Sequence, residues 1–134
     1  MNDPSTDDSG IDPERLARGR ARYLEVYGDD AVLMEPGSAA FFDLMMGHLF
    51  AEVWSRPGLD IAQRRLLVMG VLAAQGRFET LGIQFDRTLA NGELTYEQVR
   101  EIVVHLVPYV GYPSSGELFR VSETAIASAQ GATS

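Results

Sequence analysis

The chain has 134 residues, 46% of them hydrophobic, with 19 acidic against 11 basic side chains for a net charge of −8. That length supports a core without covalent staples, and the absence of cysteine excludes disulfides, thiolate metal sites and thiol nucleophiles. The acidic balance turns away nucleic-acid backbones and anionic membranes, and no apolar run approaches the roughly 18 residues of a membrane span. The opening Met1-Asn2-Asp3-Pro4-Ser5-Thr6-Asp7-Asp8 is polar and acidic, unlike a secretory or transit signal. A cytoplasmic globular protein is the expectation.

In chain order, residues 1–11 hold little to bury and are expected to form a disordered lead. Asp12-Pro13 is an N-cap with proline at the first helical position, opening a helix that carries Arg15, Arg18, Arg20 and Arg22 and stops near Gly28. Pro36-Gly37-Ser38 starts a second helix with two apolar stripes, ended by Arg56-Pro57-Gly58. Asp60 with Gln63 is a capping-box pattern for a third helix. Its middle, Leu66 to Ala74, is apolar all round, which predicts a helix buried on every side. Gly76 supplies the left-handed stop. A fourth helix spans about Phe78 to Leu89 and closes at Asn91-Gly92. Thr95 with Gln98 caps a fifth helix, which Pro108 is expected to interrupt, freeing the carbonyl of Val104. Ser114 with Glu117 opens a sixth, and residues 128–134 read as a flexible tail. The result is an all-α bundle of about six helices, one domain over residues 12–127. Two nearly all-apolar helices exceed what one small chain can cover, so a homo-oligomer is expected.

Few side chains suit chemistry. His105 lies inside the apolar fifth helix, where it reads either as a core imidazole with a hydrogen-bond partner or as a group titrating near neutral pH. His48 with Glu52 four residues on reads as a structural pair on one helix face or as two groups facing a pocket. Without HExxH or a ligand cluster, no catalytic metal is expected. Glu79 at the start of the fourth helix suits the helix dipole first and acid–base work second. Arg64 and Arg65 flank the apolar run; an arginine there serves the surface or holds a substrate carboxylate at a pocket mouth. Tyr109 and Tyr112 follow Pro108 and present hydroxyls near any cavity the kink leaves.

Several strings taken together resemble the carboxymuconolactone decarboxylase family. They are Glu52-Val53-Trp54-Ser55-Arg56-Pro57-Gly58-Leu59-Asp60, Leu72-Ala73-Ala74-Gln75-Gly76-Arg77, Leu89-Ala90-Asn91-Gly92, and His105 to Pro113 with Tyr109-Val110-Gly111-Tyr112-Pro113 at its end. The resemblance covers roughly residues 14–126. It implies an all-helical fold assembled as a homotrimer or homohexamer. It also implies cofactor-free removal of carbon dioxide from 4-carboxymuconolactone in protocatechuate breakdown. The related alkylhydroperoxidase D branch needs a CxxC pair, so this cysteine-free chain lacks that peroxidase chemistry.

Counting back from Asn91-Gly92, the resemblance places the family's catalytic histidine on Gln84 and its glutamate on Thr80, neither of which exchanges a proton at neutral pH. Trp54, Arg64, His105, Tyr109, Gly111 and Pro113 match the family pattern. Two functions follow from this. One is a lyase on a small carboxylated lactone, with Arg64 holding the acid, His105 and Glu79 handling protons, and Gln84, Thr80, Trp54 and Tyr109 lining the substrate. The other is a non-catalytic oligomeric descendant that binds a small ligand or serves as structure.

Overall fold

A computed structural model describes residues 9–132. The expected disorder over residues 1–8 and the last two residues of the expected tail lie outside the described residues. Six helices follow in order: α1 (Pro13–Tyr27), α2 (Ala40–Leu44) continuing as a π-helical segment (Met45–Val53), α3 (Ile61–Ala74), α4 (Phe78–Ala90), α5 (Tyr96–Val110) and α6 (Ser115–Ala132), the last entered through a 3₁₀ turn at Tyr112–Ser114. The described residues contain no strand. The fold is all-α, as the punctuation predicts. The chain divides between Ile61 and Ala62 into two compact units.

In the first unit, the Asp12 carboxylate accepts from the Arg15 N–H and Pro13 begins α1, the cap read from the sequence. α1 packs on the π-helical segment so closely that a Cβ on Gly19 would lie 1.7 Å from the Met46 carbonyl oxygen. Only glycine fits there. The second helix starts at Ala40, later than Pro36-Gly37-Ser38 suggests. Those residues form a turn instead, held by the buried Asp43 carboxylate, which accepts from the Gly37 N–H. Leu16, Val26, Phe42, Met46, Phe50 and Trp54 make the core. Tyr23 meets Phe50 edge-on at 5.2 Å and Trp54 stacks on Phe50 at 5.9 Å. Three of the α1 arginines serve this unit's own backbone and side chains: Arg15 donates to the Gly47 carbonyl, Arg20 to that of Met34, and Arg22 to the Ser55 hydroxyl.

The second unit packs α4 and α5 against α6 around Leu81, Phe85, Val99, Val107, Leu118 and Ile126, with Met69 and Ala73 from α3. α3 corrects the expectation of all-round burial. Arg65, Met69 and Ala73, spaced by four, form its only buried stripe, whereas Leu67 and Val71 stay 61% and 53% exposed. One stripe of a helix is all that a single neighbouring layer covers. Gly76, at φ 69°, follows α3 as predicted. Pro108 does not break α5. It lies in the last turn, and the helix runs on to Val110, because a proline this near the end removes one bond with little helix left to disrupt. α6 likewise runs through Ala132, so residues 128–132, expected to fray, are helical. Alanine, the best helix former, recurs at 125, 127, 129 and 132.

Candidate functional site

Two polar features of the second unit compete for a functional role. The first is a buried network around Arg65. Its side chain is fully buried, its Nε and Nη2 donate to the two carboxylate oxygens of Glu93 at 2.7 and 3.2 Å, and its Nη1 donates to Gln84 Oε1 at 2.8 Å. Glu93 also accepts from Thr88 Oγ1 at 3.2 Å and Asn91 Nδ2 at 3.1 Å. α3, α4 and the α4–α5 connection are tied by this bidentate pair. No buried side-chain nitrogen or oxygen among the described residues lacks a partner. Gln84, only 1% exposed, is therefore a satisfied core amide.

The second feature is a groove of about 390 Å³ between α3 and α5, within the size range of small-molecule sites. Leu66, Gly70, Ile102 and Leu106 give it an apolar floor and wall. Gln98, Glu101 and His105 give it a polar rim, because spacings of three and four bring them to one face of α5. The capping box sets the Gln98 side chain: its Oε1 accepts the Thr95 N–H at 2.9 Å, while Thr95 Oγ1 accepts the Gln98 N–H at 3.1 Å. The His105 ring lies 5.3 Å from that of Tyr109, one turn on.

Several expectations change against this geometry. His105 is exposed, not a core imidazole, since α5 buries Val99 and Val107 toward α6 and turns His105 outward. Arg65 holds the Glu93 carboxylate, whereas Arg64, the arginine expected to hold a substrate acid, is half-buried and absent from the groove wall. Glu79 and Thr80 are exposed on the first turn of α4 and do not line the groove. Trp54 belongs to the aromatic core of the first unit. Tyr109 is 79% exposed and reaches the groove only through its contact with His105. The structure thus brings Gln84 to Arg65 and His105 to Gln98 and Glu101, and it does not gather the remaining expected residues around either.

Sequence reasoning named Arg64 and Arg65 but chose Arg64, missed Glu93 and Glu101, and took Gln98 only as a cap. A signal existed for all but Glu93. Arg65 is in step with Met69 and Ala73, and Gln98 and Glu101 are in step with His105. In the first unit, His48 Nδ1 and Glu52 Oε2 are 2.9 Å apart, the pair read from their spacing, and Arg15 adds a 2.7 Å contact to the same carboxylate. The His48 hydrogen bond, with the charges of Arg15 and Arg18, holds Glu52 below the usual carboxylate range. Among the described residues no three His, Asp or Glu side chains gather as metal ligands, and no helix is long and apolar enough to cross a membrane.

Residues 39–124 match the profile of the carboxymuconolactone decarboxylase family. A nitrosuccinic acid decarboxylase of Metarhizium robertsii is 36% identical over 84 residues, 63% of this chain and 58% of that protein. A 4-carboxymuconolactone decarboxylase of Acinetobacter baylyi is 29% identical over 117 residues, 84% of this chain and 87% of that one. The match thus spans less than two-thirds of the Metarhizium relative and most of the Acinetobacter one. No solved structure is significantly similar to the chain.

Proposed function

The chain belongs to the carboxymuconolactone decarboxylase family, and from that premise we propose that it is a cofactor-free carboxy-lyase acting on a small carboxylic acid in the α3–α5 groove. The observation that carries this reading is the groove itself, with a ring-sized apolar floor and the exposed imidazole of His105 on its rim. The acids named for the two relatives, nitrosuccinic acid and 4-carboxymuconolactone, share one chemical property. In each, an electron-accepting group, nitro or unsaturated lactone, is available to take the electron pair that carbon dioxide leaves behind. The reaction then needs charge stabilisation on that acceptor and one proton delivered to carbon. His105 is the proton donor in this reading: imidazolium gives its proton to the carbanionic carbon and recovers one from water.

Among such acids, a carboxylated lactone from protocatechuate breakdown is the first candidate, with the reaction in the cytoplasm. Self-association through the exposed apolar face of α3 is part of the same reading. The test is direct. Purified protein is incubated with 4-carboxymuconolactone and, separately, nitrosuccinic acid, following substrate loss and released carbon dioxide. Turnover that falls at least about a hundredfold in His105→Gln supports the lyase.

The second reading, a non-catalytic ligand-binding descendant, is favoured by Gln84. The position where the resemblance puts a catalytic histidine holds a buried amide bound to Arg65, which moves no proton. Neither acid being consumed while small lactones still bind the groove would favour this reading.

A further inference from the structure

We propose that Gln98 is a catalytic hydrogen-bond donor of the α3–α5 groove, and that its Nε2 holds the electron-accepting oxygen of the substrate. The identity of the occupant rests on the lyase reading; the orientation of the amide does not. A glutamine side chain has one acceptor oxygen and one donor nitrogen. The oxygen is turned to the cap, since Gln98 Oε1 accepts the Thr95 N–H. The side chain lines the groove, so the group it has left to offer is the NH₂. Among the described residues it forms no hydrogen bond beyond the capping box. A helix cap thereby fixes the sense of a binding group. The neighbouring groups sharpen the assignment. Glu101 on the same rim is a carboxyl side chain rather than an amide donor. The fixed NH₂ can donate to a lactone carbonyl or a nitro group, the electron-accepting oxygens of the two acids.

In the reaction, the carbon–carboxylate bond breaks and carbon dioxide leaves. Its electron pair moves through the ring or the nitro-bearing carbon onto the acceptor oxygen, which becomes an enolate or nitronate oxygen. The Gln98 N–H bond strengthens as that charge grows, and His105 then protonates the carbon. A donor that meets charge formed only in the transition state acts on kcat more than on binding.

The capping box gives an unusually clean test, because glutamate at this position makes the same cap as glutamine. In Gln98→Glu the Thr95 N–H keeps its acceptor, but an anion replaces the donor next to developing negative charge. The thermal midpoint is expected to stay at the wild-type value, while kcat on 4-carboxymuconolactone or nitrosuccinic acid falls by about a hundredfold or more, with KM much less affected. Equal kcat in the variant overturns the proposal and leaves the lyase reading standing.

A second measurement needs no turnover. Neutral γ-butyrolactone titrated into the wild-type protein is expected to shift the side-chain amide signal of Gln98 and the ring signals of His105 in NMR spectra, with the shifts lost in Gln98→Glu. If those shifts appear but neither acid is consumed, the lyase reading fails and the donor assignment stands as a lactone-binding site. If the Gln98 amide is silent to lactone, or moves only on diluting the protein, the groove belongs to a second copy of the chain and the proposal is wrong.

Discussion

Arg64 and Arg65 are adjacent on α3, yet one is half-buried and the other is sealed in the core. A buried guanidinium is tolerated only with its charge paired and its donors used, and Glu93 with Gln84 supplies both. Arg65→Met should therefore leave Glu93 nearly buried without its partner, lowering unfolding free energy by about 3–5 kcal/mol in urea titrations. The double change Arg65→Met with Glu93→Leu should recover most of that loss, because two apolar side chains replace a pair that had to be desolvated. At the exposed pair His48–Glu52 the effect is one of titration. Glu52 has a folded pKa depressed first by the His48 hydrogen bond. Its contribution to stability is therefore present above the ordinary carboxylate range and is lost as pH falls through the lower, folded value. His48→Ala should raise the Glu52 midpoint toward that ordinary range, read by NMR of the carboxyl carbon.

At the scale of elements, α1 lies against the π-helical segment at Gly19 with no room for a Cβ. Gly19→Ala should force the two backbones apart and cost about 1–3 kcal/mol, as overpacking does, measured as a fall in the unfolding midpoint. Gly70, half-buried and with nothing within 4 Å of an added Cβ, lacks that contact. Gly70→Ala in α3 should be neutral or stabilising by up to about 1 kcal/mol. Helix starts and stops were legible at several local signals, though not at Pro36-Gly37-Ser38, which forms a turn ahead of α2. Asp12-Pro13, Gly76 and Thr95 with Gln98 all did what their residue types dictate. The π-helical turns of Met45–Val53 were not legible, since a change from i→i+4 to i→i+5 bonding leaves no mark in apolar spacing.

For the whole molecule, an acidic chain of net charge −8 leaves Leu67, Val71, Val104 and Phe119 more than half exposed. Like charge opposes association, so any self-assembly through these side chains is driven by apolar burial and strengthens as salt screens the repulsion. The wild type is expected to run as a trimer or hexamer by light scattering. Leu67→Glu with Val71→Glu, one turn apart on α3, should shift it to the monomer without loss of helix content. A wild type that stays monomeric at high protein concentration and salt would remove that expectation.

Cap residues, glycine stops and helical periodicity act within about four positions of the chain, so the sequence by itself determined the helical class, the order of the elements and most of their ends. Which face of each helix is covered depends on segments far away in sequence. Arg65 finds Gln84 at a separation of 19 and Glu93 at 28. Only tertiary structure decided that Arg65 rather than Arg64 is buried, that Gln84 is sealed, and that His105 faces outward beside Gln98. Burial and pairing are set by what packs against a side chain, and a helix apolar on several sides gives no sign of which side a neighbour will take.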